Sequence, residues 1–133
     1  MLKHLNMPGV LILQGDKFKS YEKTEEEISE FNIELICSRI DTHNYPMIVI
    51  CDDSDFTSAT LNNWLWVTFT RSNPSHDIHG VNPFTRFKHF GCDSVIIDAR
   101  IKPHHAPALI KDPAIEKRVD KLFEKGGSLE GLK

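Results

Sequence analysis

The chain has little cysteine, no long apolar run and no large excess of charge of either sign, and each shortage removes a class of protein. Its three cysteines, Cys37, Cys51 and Cys92, are odd in number and far apart. That excludes a disulfide framework or a zinc knuckle, both of which need paired and closely spaced thiols. Two of the three lie in apolar stretches, where a thiol behaves as a small hydrophobe, so all are read as reduced. The longest apolar runs, 10–13 and 47–51, are far too short to cross a bilayer. The N-terminus shows no apolar segment followed by a small-residue cleavage site. The expectation is a cytoplasmic protein without an integral membrane segment. A net charge of −3 and a pI near 6.1, with basic residues read as scattered rather than stacked on one segment, leave no electrostatic footprint for nucleic acid or an anionic membrane.

Motifs of catalysis are equally scarce. There is no G-x-S-x-G elbow, no G-x-G-x-x-G loop and no G-K-[ST]. Five histidines, His76, His79, His89, His104 and His105, fall late in the chain, with His4 and His43 outlying. None has the i, i+4 spacing or the matching Cys/His set of a zinc site. They are read as loop histidines, with His104 and His105 pointing apart on an extended backbone. Cys92 has His89 three residues away but no third group to orient it.

What is present is one domain's worth of chain, 133 residues, with buried-strand and helix signals in alternation. Residues 10–13 and 47–51 read as buried strands. Between them Thr24 and Glu27 have capping-box spacing, and Ile28, Phe31, Leu35 and Ile36 continue at helical spacing to about residue 39. Strand, helix and strand of this kind define a parallel βαβ unit. Residues 57–70 read as one further helix, on which Trp64 and Trp66 cannot face the same way: one belongs to the core, the other to an interface. Residues 72–88 read as loop, 94–98 as a third strand, and 101–111 as irregular around Pro103 and Pro107. Asp112-Pro113 caps a last amphipathic helix through Phe123, stopped by Gly126-Gly127, with its apolar stripe expected on the sheet. Residues 128–133 read as a frayed tail. The fold class is therefore α/β: a small layered domain with a mainly parallel sheet of at least three strands and flanking helices.

The stretch MIVICDDSDF drops from an apolar strand into Asp52, Asp53 and Asp55. With Asp98 at another strand end and Lys102 beyond it, these residues assemble the parts of a Mg²⁺-binding or phosphoacceptor site. Aspartates also cap helices and favour their N-termini, so a purely structural turn is the competing reading. That turn could pair with Arg71, and truncating Arg71 would then cost a few kcal/mol.

The continuation VICDDSDFTSATLNNWLWVTFTRSNPSHDI resembles the C-terminal domain of the UbiD-like decarboxylases, which use prenylated flavin mononucleotide. The matching positions are Asp52, Asp53 and Asp55 in the acidic turn, Trp66 on the helix, Thr70-Arg71, Pro74 and Asp77. Ile97-Asp98-Ala99-Arg100 matches a strand end further on. The resemblance implies a non-oxidative aromatic carboxy-lyase of the 3-polyprenyl-4-hydroxybenzoate type, connected with quinone biosynthesis. This chain would be its C-terminal assembly domain. The catalytic residues, the prenylated flavin and its divalent metal would lie in an N-terminal flavin-binding domain of the same protein, and the assembly would be a homo-oligomer. It also makes Lys17 or Lys19 the counterpart of a lysine directed at the flavin phosphate, against the alternative of two solvated loop lysines. Two other readings stand beside it: a free-standing phosphoacceptor domain using Asp52, Asp53, Asp98 and Lys102, and a pure protein-interaction module.

Overall fold

The computed structural model describes residues 2–4, 8–38, 44–107 and 112–132, with side chains placed for 8–32, 44–107 and 112–132. Among the described residues, seven strands and four helices run β1 (Leu2–His4), β2 (Val10–Gln14), α1 (Tyr21–Ser38), β3 (Met47–Cys51), α2 (Ser54–Ala59), α3 (Leu61–Thr70), β4 (Ile78–Val81), β5 (Phe84–Arg86), β6 (His89–Gly91), β7 (Ser94–Asp98) and α4 (Pro113–Phe123). The main sheet has the order β1-β2-β3-β7-β4. Its three central strands are mutually parallel, and β1 and β4 close the edges antiparallel. The α/β class and its mainly parallel centre follow directly from this order.

Uniformly apolar strands arise here because both faces of the sheet are covered. Val10, Ile12, Val49 and Cys51 point to one side and pack with Trp64, Val67 and Ala99, beneath α3. The alternate residues Leu11, Ile48 and Ile96 point to the other side and pack with Ile28 of α1 and with Val81. Of the two tryptophans, Trp64 is buried in the core and Trp66 is half-exposed on the outer face.

Several boundaries differ from the sequence expectation for physical reasons. The helix expected over 57–70 is two helices. Thr60 is extended (φ −145°, ψ 158°) and its hydroxyl accepts from the Asn63 amide, while Asp53 accepts from the Phe56 amide. Each helix thus has its own cap. The first helix begins at Tyr21, not Thr24: the Ser20 hydroxyl accepts from the Lys23 amide at 3.2 Å, which frees Thr24 and Glu27 for another task. The stretch 72–88, read as loop, contains β4 and β5. Its Gly80 disguised the strand, yet glycine is required there, since a Cβ would lie 3.0 Å from the Phe90 ring and closer still to Cβ of Cys92.

Helix α4 forms with Asp112 as its cap and Pro113 in its first turn, but its stripe does not pack on the sheet. Ile115, Val119 and Leu122 are all exposed. Residues 128–132 are turned back by backbone hydrogen bonds, among them Leu129 N–H to the Leu122 carbonyl at 2.8 Å; Lys133 lies outside the described residues.

Candidate functional site

Strand β7 ends in Asp98, and the residues that follow place two cations under the surface. Arg100 is 2% exposed and Lys102 is 1% exposed, beside Asp98 and Asp77, which are equally buried. Charges this deep need partners, because desolvation alone opposes ionisation.

Arg100 uses all five of its N–H donors. Nε and Nη2 meet the two Asp98 carboxylate oxygens at 2.9 and 3.0 Å, a fork-to-fork pair. Nη2 also donates to the Thr24 hydroxyl at 2.9 Å. Nη1 donates to the Asp16 carbonyl at 3.0 Å and to Glu27 Oε2 at 2.8 Å. Thr24 and Glu27, whose spacing resembled a capping box, are therefore a clamp that holds a guanidinium from the opposite end of the sequence. Burial by itself would lower the Arg100 pKa, but the hydrogen bonds and charges of Asp98 and Glu27 outweigh it and leave the pKa raised.

Lys102 sits in a cage of backbone. Nζ donates to the carbonyls of Asp98 at 2.8 Å, Arg100 at 3.2 Å and Arg71 at 3.3 Å. It also lies 3.2 Å from Asp77 Oδ1, an ionic contact whose angles fall outside hydrogen-bond geometry. The other Asp77 oxygen accepts from the Asn73 amide at 2.6 Å, and the Asp77 amide donates to the Asn73 carbonyl at 2.8 Å. The loop through Thr70-Arg71, Pro74 and Asp77 is thereby closed on itself and delivers one carboxylate to Lys102.

The acidic turn lies outside this cluster. Asp53 caps α2 and Asp55 sits in its first turn. Asp52 accepts from the Ile101 amide at 2.8 Å and lies 3.5 Å from Arg71 Nη1, with side chains 24% and 18% exposed. The acidic turn and Arg71 are thus paired and largely out of water, the condition under which truncating Arg71 costs a few kcal/mol. Arg71 also stacks over Trp66, 5.0 Å from the ring centroid.

These placements decide what the cluster can do. A phosphoacceptor site needs a lysine and a carboxylate free to meet a phosphate or a metal, whereas Lys102 and Asp98 are sealed and their groups engaged within the protein. Among the described residues no group of three or more His, Cys, Asp or Glu is arranged to hold a metal ion. Nor is there an activated thiol: burial pushes both Cys51 and Cys92 up, with Asp93 adding to the effect on Cys92. The Cys37 side chain lies outside the described residues. His104 and His105 do not point apart; their rings meet edge to face at 4.7 Å, and His105 Nδ1 accepts from the Lys102 amide at 3.1 Å.

Two open pockets flank the cluster. One, of about 410 Å³, lies between β2 and α1 with Leu13, Gly15, Phe31 and Arg100 on its walls. The other, of about 610 Å³, is bounded by Trp66, Arg71, Ile101, His105 and Pro107. Lys17 and Lys19 are exposed and line neither of these two pockets.

His79, on β4, is half-buried with its Nε2 atom enclosed and unpartnered. Burial lowers its pKa from the ordinary value of about 6.5, opposed by Asp98, Asp77 and Glu25 and assisted by Lys102. With the folded pKa below the unfolded one, the unfolded state binds more protons in the interval between them. Stability is thus complete above about pH 6.5 and declines as pH falls through the folded value. His79→Gln is expected to flatten the difference between urea denaturation midpoints measured at about pH 7.5 and about pH 5.5. An unchanged difference would place the titration elsewhere. His105, lowered by burial, His104 and Lys102, contributes with the same sign and leaves a residual slope.

Fold and cluster together define a class: a small α/β domain whose strongest polar chemistry is spent internally, as a lock. The chain is similar to proteins of chlamydiae. It is 30% identical over 102 residues to an uncharacterized protein of Chlamydia muridarum, covering 76% of this chain and 18% of that protein. It is 24% identical over 115 residues to an uncharacterized protein of Chlamydia caviae, covering 84% and 18%. It is 25% identical over 105 residues to a Chlamydia pneumoniae protein named as a subunit of 4-hydroxybenzoate decarboxylase, covering 74% and 17%. The chain therefore spans less than a fifth of the length of these relatives. No protein-family model matches it.

Proposed function

We propose that this chain is a packing and oligomerisation domain, the C-terminal one, of a UbiD-like non-oxidative aromatic carboxy-lyase of the 3-polyprenyl-4-hydroxybenzoate type. The observation that carries the assembly role is the outer face of α2 and α3. Phe56, Leu61, Leu65, Trp66 and Phe69 are all exposed there. A contiguous apolar face of this kind is characteristic of a surface that another protein covers. Support for the decarboxylase parent comes from the distant similarity to a protein named as a decarboxylase component and from the motif resemblance across Asp52, Trp66, Arg71, Asp77 and Arg100. In this reading the prenylated flavin, its divalent metal and the catalytic residues belong to the flavin-binding domain, which docks on the α2–α3 face.

The chain's own contribution is positioning. The lock at Asp98, Arg100 and Lys102 holds strand ends, the Asp77 loop and the start of α1 in one register, so the face presented by α3 is rigid. Purified residues 1–133 mixed with prenylated flavin, Mn²⁺ and 4-hydroxybenzoate are expected to release no CO₂ above the blank. Mixed with a flavin-binding domain of the family, they are expected to co-elute as a complex that Trp66→Asp disrupts. Release of CO₂ by the isolated chain, or a complex indifferent to Trp66→Asp, overturns the reading.

A further inference from the structure

The hairpin β5–β6 stands apart from the main sheet as a two-stranded ribbon of its own. At its base the Asn82 amide donates to Asp93 at 2.8 Å. Its sequence from residue 83 to 91 is PFTRFKHFG, which contains Arg86, Lys88 and His89 and no acidic residue. The whole chain carries a net −3, so this ribbon is a local reversal of sign that the overall charge conceals.

Three aromatic rings are exposed on it: Phe84 at 57%, Phe87 at 81% and Phe90 at 54%. The register pairs Phe84 with Gly91, Thr85 with Phe90 and Arg86 with His89. Phe84 therefore lies on one face of the ribbon, Phe90 on the other, and Phe87 with Lys88 forms the tip. The Phe84 ring occupies the space that a Cβ on Gly91 would take, and the Arg86 guanidinium lies 5.3 Å from the Phe87 ring centroid.

The tip itself is costly. Phe87 and Lys88 both have positive φ, 51° and 67°, the pattern of a two-residue type I′ turn. Such turns are made with least strain by Asn-Gly, and a bulky residue there is an outlier. A strained aromatic held out in solvent, flanked by cations, has no role in the packing of this fold.

Phe90 turns its ring to Gly80 of β4, so the rings free of the sheet are Phe84 and Phe87, with Arg86 and Lys88 beside them. Their chemistry matches the bilayer interface, where aromatic rings settle at headgroup depth while Arg and Lys remain among the phosphates. We infer that the β5–β6 hairpin is a peripheral membrane-docking tip, with Phe87 and Phe84 entering the interface and Arg86 and Lys88 meeting anionic headgroups. The ribbon is a different surface from the α2–α3 face, and its role does not depend on the proposed decarboxylase parentage.

The test is co-sedimentation of residues 1–133 with phosphatidylcholine vesicles containing about 30 mol% phosphatidylserine. Binding is expected, weakened about tenfold on pure phosphatidylcholine and reduced again in about 0.5 M NaCl. The informative variant is Phe87→Asn/Lys88→Gly, which replaces the strained turn with the sequence that type I′ geometry prefers. It should melt no lower than the parent chain, yet lose vesicle binding by about tenfold or more, since it removes one ring and one cation. Absence of binding to anionic vesicles overturns the inference, as does binding that the variant leaves unchanged. Self-association in light scattering that the variant abolishes, without vesicle binding, would assign the hairpin to a protein interface instead.

Discussion

Arg100→Ala is expected to remove about 3–5 kcal/mol of stability, the cost of leaving a buried carboxylate without its partner. For a domain of this size that corresponds to a fall in Tm of about 10–20 °C, measured by circular dichroism or scanning calorimetry. The effect is large because three separate elements lose one hub. Asp98 would keep only the Arg100 backbone amide, at 3.1 Å, and Lys102 Nζ at 3.9 Å; Thr24 and Glu27 on α1 and the Asp16 carbonyl would face an empty space. Arg100→Lys should recover little, since an ammonium cannot reproduce the fork that meets both oxygens of Asp98. Removing both charges together, as Arg100→Met/Asp98→Leu, should be milder than Arg100→Ala alone. A Tm within about 2 °C of the parent for Arg100→Ala would show that the cluster does not hold the fold.

The second large effect is at Lys102. Lys102→Met keeps an unbranched side chain one heavy atom shorter, and removes the donor shared by three carbonyls and the counter-charge of Asp77. A loss of about 3 kcal/mol is expected, from the unpaired Asp77 and the orphaned carbonyls together. Asp77→Asn added to Lys102→Met should restore part of it, because the unpaired charge is then absent. The same variant separates two functional readings. If Lys102 served a phosphoryl group, its removal would spare thermal stability and abolish binding of a phosphate analogue such as BeF₃⁻ with Mg²⁺. The structure leaves no donor of Lys102 pointing outward, so the loss should be one of stability.

Much of the frame was legible from local pattern. Strands β2, β3 and β7 appear as unbroken apolar runs because both faces of the sheet are buried, and α1 and α4 appear through spacing and, for α4, its Asp-Pro cap. The division of the second helix was missed because Thr60 is unremarkable in composition and acts only through its extended backbone and its bond to Asn63. Strand β4 was missed because Gly80 interrupts a run of only four residues, Ile-His-Gly-Val; its pairing with β7 supplies what the local pattern does not. The stripe of α4 was misplaced because amphipathicity states that a face is apolar and not what covers it.

The cluster divides in the same way. Asp98 and Arg100 stood out as a short motif, and Lys102 as a loose cation near it. Their partners Thr24 and Glu27 were visible as well, but their spacing pointed to a helix cap. Both uses satisfy the same hydrogen-bonding groups, and only the approach of Arg100 from 76 residues away selects between them. By itself the sequence determined the α/β frame, because apolar runs and helical spacing report burial over a few neighbouring residues. Tertiary structure alone decided which charges meet: a pair separated by most of the chain leaves no period to read, and in a low-dielectric interior the partner a charge finds settles whether it can act or only hold.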